Sequence, residues 1–220
     1  MLITSIAPAP RRTGRFDISI DGRHAATLSI EAIERLQLAV GVVVDERLEA
    51  ALTRETNVVR TYDRALNMIA LRARSASELR RLLIRKGEEV EYVDAAIDRL
   101  VRAGFLDDSS FAKQFTRAKV AGAGLSRRRV QQELARRGVS REVAESAIAE
   151  VFVEENVDEG GTLERVARKK LKTLARFDAA VQRRRLYAFL ARRGYDGDDI
   201  ARALRTIMSR EPAAEESHAE

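Results

Sequence analysis

Residues 127–138 read RRRVQQELARRG and residues 183–194 read RRRLYAFLARRG, two near copies offset by 56 residues. A weaker third copy, ASELRRLLIRKG at 76–87, lies 51 residues upstream of the first. Self-similarity at this period dictates a repeat architecture, in which each unit is one supersecondary element stacked on its neighbours. The segment after each copy repeats too. Counting from Gly87, Gly138 and Gly194, apolar residues fall 6, 10 and 13 positions later: Val93, Ile97 and Leu100, then Ala144, Ile148 and Val151, then Ile200, Leu204 and Ile207. Spacings of four and three mark one face of an α-helix. The residues before each copy are also helical in pattern: Ala65, Leu66, Ile69 and Ala70; Phe111, Phe115 and Ala118; Leu163, Val166, Ala167, Leu171 and Leu174. Each unit therefore reads helix, helix, glycine, helix. Three such units are expected, at 61–107, 108–155 and 162–210, built into an elongated, curved, mostly α protein.

Local signals agree. Each glycine comes after a short helix whose last turn is basic: Arg85-Lys86, Arg136-Arg137, Arg192-Arg193. Glycine takes the left-handed conformation there without steric cost, and cations suit the carboxyl end of the helix dipole. Ser75 with Glu78 forms a capping-box pattern, and Ser126 and Ser140 are placed as N-caps.

The first sixty residues differ. RFDISIDG at 15–22 alternates apolar and polar residues, RHAATLSI comes next, and Asp21-Gly22 between them predicts a tight hairpin. SIEAIERLQL at 29–38 predicts a short helix ended by Gly41, and DERLEAALTRE at 45–55 starts another. Residues 1–60 are thus expected to form a small hairpin-and-helix cap before the repeats. The last ten residues, EPAAEESHAE, carry four glutamates and no Lys or Arg, and predict a disordered acidic tail at 211–220.

Composition narrows the function. The chain has no cysteine, so disulfides and thiolate metal sites are excluded. No apolar run approaches the roughly 20 residues of a membrane span, and Met1 does not open a signal peptide, so a cytoplasmic protein without membrane contact is expected. His24 and His218 stand in no catalytic pattern. Asp107-Asp108 reads as an N-cap for a helix beginning near Phe111 rather than as a carboxylate pair. Asp196, Asp198 and Asp199 sit at a helix start and lack the spacing of a calcium loop. Gly122-Ala123-Gly124 is a loop signal only. No catalytic residue, metal site or cofactor is expected.

The net charge is +6, carried by 34 arginines and only 6 lysines against 34 acids. Residues 162–210 alone hold 14 basic and 5 acidic side chains, a net of +9. Such a body suits an acidic partner, either nucleic acid or an acidic protein surface. With Val130 and Leu134 on the buried stripe, Arg128, Arg129 and Arg136 project from the opposite side. Arg184, Arg185 and Arg192 are their counterparts. Three adjacent arginines at a helix N-terminus oppose the dipole, and finding this twice at matching positions predicts a ligand-facing surface. Few aromatics interleave with it: Tyr187 and Phe189 are candidates, Phe189 reading rather as core, so base stacking along a single strand has little support.

RSASELRRLLIRKG at 74–87, IDRLVRAGFLDDSSFAKQFTRAK at 97–119 and GLSRRRVQQELARRGVS at 124–140 resemble the RecX regulatory proteins of bacteria. The Asp21-Gly22 hairpin and ALNMIALRARS at 65–75 are similar as well, so the resemblance covers residues 2–208. It implies tandem three-helix repeats, no enzymatic activity and no cofactor. It also implies binding to the RecA recombinase filament on DNA, suppression of its ATPase and strand exchange, and restraint of recombination, DNA repair and the SOS response. The residues expected to meet filament or DNA phosphates are Arg80, Arg81, Arg85 and Lys86; Arg127, Arg128, Arg129, Arg136 and Arg137; Lys169, Lys170 and Lys172; and Arg183, Arg184, Arg185, Arg192 and Arg193. The chain is expected to act as a monomer. The alternative is an autonomous basic DNA-binding protein, a transcription or nucleoid factor. A phosphoryl-transfer enzyme would need a carboxylate cluster that the sequence does not show.

Overall fold

The computed structural model describes residues 1–10 and 12–209; the expected acidic tail lies outside the described residues. Three strands come first: β1 (Ile3–Pro8), β2 (Arg15–Ile20) and β3 (Arg23–Ser29). Among the described residues ten α-helices come after them: α1 (Ile30–Arg35), α2 (Glu46–Leu71), α3 (Ala76–Arg85), α4 (Val90–Arg102), α5 (Asp108–Ala118), α6 (Arg127–Arg136), α7 (Arg141–Glu154), α8 (Glu159–Lys172), α9 (Ala179–Arg192) and α10 (Gly197–Met208). The chain divides into two compact units, the first spanning Met1–Asp107 and the second starting at Asp108.

The strands form an antiparallel sheet in the order β1-β2-β3. Asp21 and Gly22 both have positive φ, 47° and 77°, as a two-residue hairpin turn requires. The expected hairpin is therefore present, but the sheet has a third member. β1 pairs with β2 from Ile3↔Ile20 to Pro8↔Phe16. The link from β1 to β2 carries Pro10 and Gly14 but not a two-residue turn pair like Asp21-Gly22, so local pattern did not reveal the pairing. Ile3, Ile18, Ala26 and Leu28 form the buried face, closed by Ala32 and Ile33 of α1 and Leu52 of α2.

α2 is a single 26-residue helix, opened by Asp45, whose carboxylate accepts from Leu48 N at 2.8 Å. Its first half covers the sheet through Leu52, and its second half supplies Ala65 and Met68 to the core of the first repeat. The expected boundary between 60 and 61 thus falls inside a continuous helix. A buried carboxylate fixes this shared rod. Glu55, 2% exposed, accepts two hydrogen bonds from Arg99 of α4 at 2.6 and 2.8 Å and one from Arg35 of α1 at 2.5 Å. Burial pushes the Glu55 carboxyl up, but Arg99, Arg35 and Arg54 outweigh it and hold the group below its ordinary value. A second buried carboxylate, Glu88 beside Gly87, accepts from Thr61 Oγ1 at 2.9 Å and from Arg64.

All nine apolar positions counted from the three glycines are buried. The serine caps are also as expected: Ser75, Ser126 and Ser140 accept from the backbone N–H of Glu78, Arg129 and Val143. The first helices of the repeats depart in detail. In α5 the buried residues are Ala112 and Thr116, one residue round from the expected Phe111 and Phe115, and the next buried position is Val120, just past the helix, rather than Ala118. The two phenylalanine rings stack at 6.0 Å on the rim, half-buried, and Ala118 is exposed. Ala70 is exposed as well, its place in the core taken by Met68. α5 starts at Asp108 rather than near Phe111. Val130 and Leu134 of α6, and Leu186 and Leu190 of α9, are fully buried. Truncating any of these leucines to alanine should cost about 2–5 kcal/mol.

Gly122-Ala123-Gly124 is not a plain loop. Lys119–Ala123 forms a π-helical turn continuing α5, and Gly124 closes it in the left-handed conformation, φ 58°.

Candidate functional site: the basic faces of the repeats

The repeated arginines occupy α3, α6 and α9, and the structure divides them into spent and unspent charge. In the first repeat, Arg80 is gripped by Asp94 of α4 through Nε–Oδ1 at 2.6 Å and Nη2–Oδ2 at 3.1 Å. This hydrogen-bonded pairing raises the Arg80 guanidinium and lowers the Asp94 carboxyl. Arg81, Arg85 and Lys86 are exposed.

In the second repeat most of the charge is engaged. Arg127 lies over the Phe152 ring at 4.3 Å, and Arg137 over Phe115 at 4.5 Å. Arg128 Nε donates to the Gly194 carbonyl at 3.1 Å. Arg129 is half-buried and pairs with Glu133 at 3.3 Å. Arg136 is exposed. The three arginines at the start of α6 do oppose its dipole, as expected. They are tolerated because Ser126 caps the helix and Glu159 Oε1 accepts from Arg127 N at 2.9 Å.

The third repeat is different, and here the expected match fails. α9 begins at Ala179, with Asp178 accepting from Val181 N at 2.8 Å. The extra turn places Arg183, Arg184 and Arg185 in the second turn, where the dipole no longer acts on them. Arg185 and the neighbouring Arg176 flank Phe177, at 3.9 and 4.9 Å. Lys170 lies 5.6 Å from the Phe189 ring. Arg183, Arg184, Arg192, Lys169 and Lys172 are exposed, and among the described residues no carboxylate pairs with them. Arg176 is a basic residue the sequence pattern missed; its one local signal is the aromatic next to it.

Arg193 is not on that surface. It is half-buried, stacks on Phe189 at 3.7 Å and donates from Nε to the Ala123 carbonyl at 2.9 Å. Burial pulls its guanidinium below the ordinary value. Its own carbonyl accepts from Ser126 N at 3.0 Å. Tyr195, 4% exposed, donates from its hydroxyl to the Gly124 carbonyl at 3.1 Å, and burial pushes its pKa up to about 12. Two glycines make this closeness possible. A Cβ on Gly194 would lie 2.5 Å from Arg129 Cβ and 2.6 Å from Ser126 Oγ, and one on Gly124 would collide with Val166. The second and third repeats are therefore joined backbone to backbone, and Arg193 belongs to the joint.

Among the described residues no cluster of His, Cys, Asp and Glu could hold a metal ion, and no helix is long and apolar enough to cross a membrane. The geometry offers a set of exposed cations on helical repeats whose mutual register is fixed in the second unit.

Comparison with known proteins places this architecture. Family models for the first, second and third three-helix domains of RecX match residues 62–100, 107–148 and 158–204, together more than half of the chain. A regulatory protein RecX from Pelodictyon phaeoclathratiforme is 34% identical over 147 residues, 66% of this chain and 86% of that protein. This chain belongs to the RecX family. Regulatory protein RecX from Levilactobacillus brevis is 28% identical over 207 residues, 94% of this chain and 77% of its own length. A crystal structure of regulatory protein RecX shares the fold at a TM-score of 0.75 and 18% identity, covering 96% of this chain and 99% of the other. RecX from Lactobacillus salivarius matches at a TM-score of 0.56 and 16% identity over 70% of this chain. The family is one of regulatory proteins rather than a known enzyme class.

Proposed function

We propose that this RecX protein binds the RecA recombinase filament and its DNA, and lowers recombinase ATPase and strand exchange, acting without a cofactor or an active site of its own. The observation that carries the reading is the set of exposed cations in the third repeat, Lys169, Lys172, Arg183, Arg184 and Arg192, unpaired among the described residues. A filament on nucleic acid is a repeating acidic lattice. Cations held on rigid helices meet such a lattice with little ordering cost. The first repeat adds Arg85 and Lys86; Arg136 of the second is exposed and borders the set without being counted among its unpaired members. The partially engaged residues, Arg127, Arg128, Arg129, Arg137, Lys170 and Arg185, border these sets. In this reading Arg80 and Arg193 support the fold and do not touch the partner. A cytoplasmic monomer is the form that acts.

The test is recombinase ATP hydrolysis on single-stranded DNA with increasing amounts of the protein. Substoichiometric protein should lower the rate, and an unchanged rate at equimolar protein would sink the reading.

An autonomous DNA-binding protein is the second reading, favoured by the same unpaired cations, which would serve bare phosphates equally well. Binding to naked DNA would then be as tight as binding to filaments. Its affinity would fall with salt at a log–log slope of about −0.9 per phosphate contact. The filament reading expects a clear preference for recombinase-coated DNA at equal salt.

A further inference from the structure

The first unit contains a groove that the basic-repeat reading does not use. Val59 and Leu66 of α2 line it together with Tyr62, Arg15 of β2 and Arg102 at the end of α4. Phe105 stands at its edge, 58% exposed. The exposure of this ring is built in. After α4 the chain turns through Gly104, φ 73°, and the N–H groups of Phe105 and Leu106 both donate to the Leu100 carbonyl, at 2.9 and 3.2 Å. Leu106 takes the core position and Phe105 is left outside. The same turn after α7 does otherwise. There Asn156 has positive φ, Val157 N donates to the Phe152 carbonyl at 3.0 Å, and Val157 packs against the core of its repeat. The turn itself therefore does not force its residue into solvent.

The charge of the groove is equally specific. Arg15 is largely buried, lies 5.7 Å from the Tyr62 ring and pairs with Asp63 at 3.0 Å. Arg102 is exposed and has no carboxylate partner among the described residues. Glu31, on the same groove, is held below its ordinary value first by the Ser29 side chain, and the Arg15 and Arg99 charges add to this. An apolar floor, an exposed aromatic and a spare guanidinium fit a ligand that is apolar at one point and anionic beside it.

We propose that this groove docks an acidic peptide segment of a protein partner, with one apolar side chain of the segment against Phe105, Leu66 and Val59 and a flanking carboxylate on Arg102. A nucleic-acid strand fits less well. It carries a charge at every step, whereas Arg15, Arg35 and Arg99 of the groove are already paired with Asp63 and Glu55, which leaves Arg102 to meet a single flanking anion. The proposal holds whichever protein presents the segment, so it stands apart from the recombinase reading.

The test is fluorescence anisotropy with the full chain and three labelled probes: a glutamate peptide with two central leucines, the same peptide with serines in their place, and an oligothymidylate. Phe105→Ala and Arg102→Glu should each weaken the leucine peptide about tenfold, and Arg47→Glu, exposed and outside the groove lining, should leave it unchanged. The serine peptide should bind the parent about tenfold more weakly than the leucine peptide. Both altered side chains are exposed, so both variants should melt with the parent. Absence of leucine-peptide binding, or binding indifferent to Phe105→Ala, would overturn the proposal. So would an oligothymidylate affinity that falls with Phe105→Ala as far as the peptide's does, because the groove would then be a nucleic-acid site.

Discussion

Gly87 and Gly194 end the second helix of the first and third repeats after the same two basic positions, with nearly equal φ of 87° and 88°. Their surroundings have nothing in common. A Cβ on Gly87 would meet no atom within 4 Å, whereas on Gly194 it would meet Arg129 Cβ, Ser126 Oγ and, at 3.1 Å, Arg129 N. One local signal therefore does two jobs. At Gly87 it only terminates a helix; at Gly194 it also lets one repeat close onto another. The two units are accordingly held by different physics. In the first, a buried carboxylate ties α1, α2 and α4 through charge. In the second, backbone groups and a neutral tyrosine hydroxyl meet through hydrogen bonds of 3.0 and 3.1 Å.

The sharpest way to break that contrast is a matched pair of alanines. Gly87→Ala should cost about 1–2 kcal/mol, the left-handed backbone penalty alone. Gly194→Ala adds overpacking against Cβ and cap atoms that cannot swing away, for a total of about 4 kcal/mol. Equal losses in urea denaturation would mean that the repeats are not packed this closely.

Next in size is Glu55→Ala, which strands the partly buried Arg99 and should destabilise the first unit by about 3 kcal/mol. The pH dependence has a definite sign. The folded carboxyl titrates below its ordinary 4.5, so its contribution is complete above that value and is lost as pH falls through 4.5 towards the lower folded value. Glu55→Gln should flatten this part of the acid-unfolding curve.

Tyr195→Phe should cost less, about 1 kcal/mol for one hydrogen bond to a backbone carbonyl. The folded pKa is raised from 10.0 to about 12, so the stability Tyr195 provides is complete below pH 10 and is lost between there and about 12. The parent's second unit should weaken across that window, and the phenylalanine variant should lack this component.

The repeat glycines, the serine caps and the nine counted apolar positions were legible because each is a relation among residues close in sequence. The joint was not. Arg193 to Ala123 and Tyr195 to Gly124 span about seventy residues, and Gly122-Ala123-Gly124 looks like any loop until Val166 and Tyr195 are placed beside it. Glu55 was equally silent, since a glutamate in an amphipathic helix reads as surface until Arg99 arrives from α4. α9 shows the limit of a repeat alignment. Its arginines match those of α6 letter for letter, yet Asp178 starts the helix a turn earlier and changes their electrostatic setting. The basic face was visible as composition. Which cations stay available was not, because Asp94, Glu133 and the Gly194 carbonyl had first to be placed.

The smallest expected effect on stability tests the central claim, that the exposed cations of the third repeat make the contact. Arg183, Arg184 and Arg192 should each tolerate glutamate within about ±0.5 kcal/mol. The measurement is recombinase ATPase on single-stranded DNA against increasing Arg183→Glu/Arg184→Glu/Arg192→Glu triple variant, with the parent alongside. Inhibition should be lost or weakened at least about tenfold, at an unchanged melting temperature. A triple variant that melts like the parent and inhibits like the parent would contradict the claim.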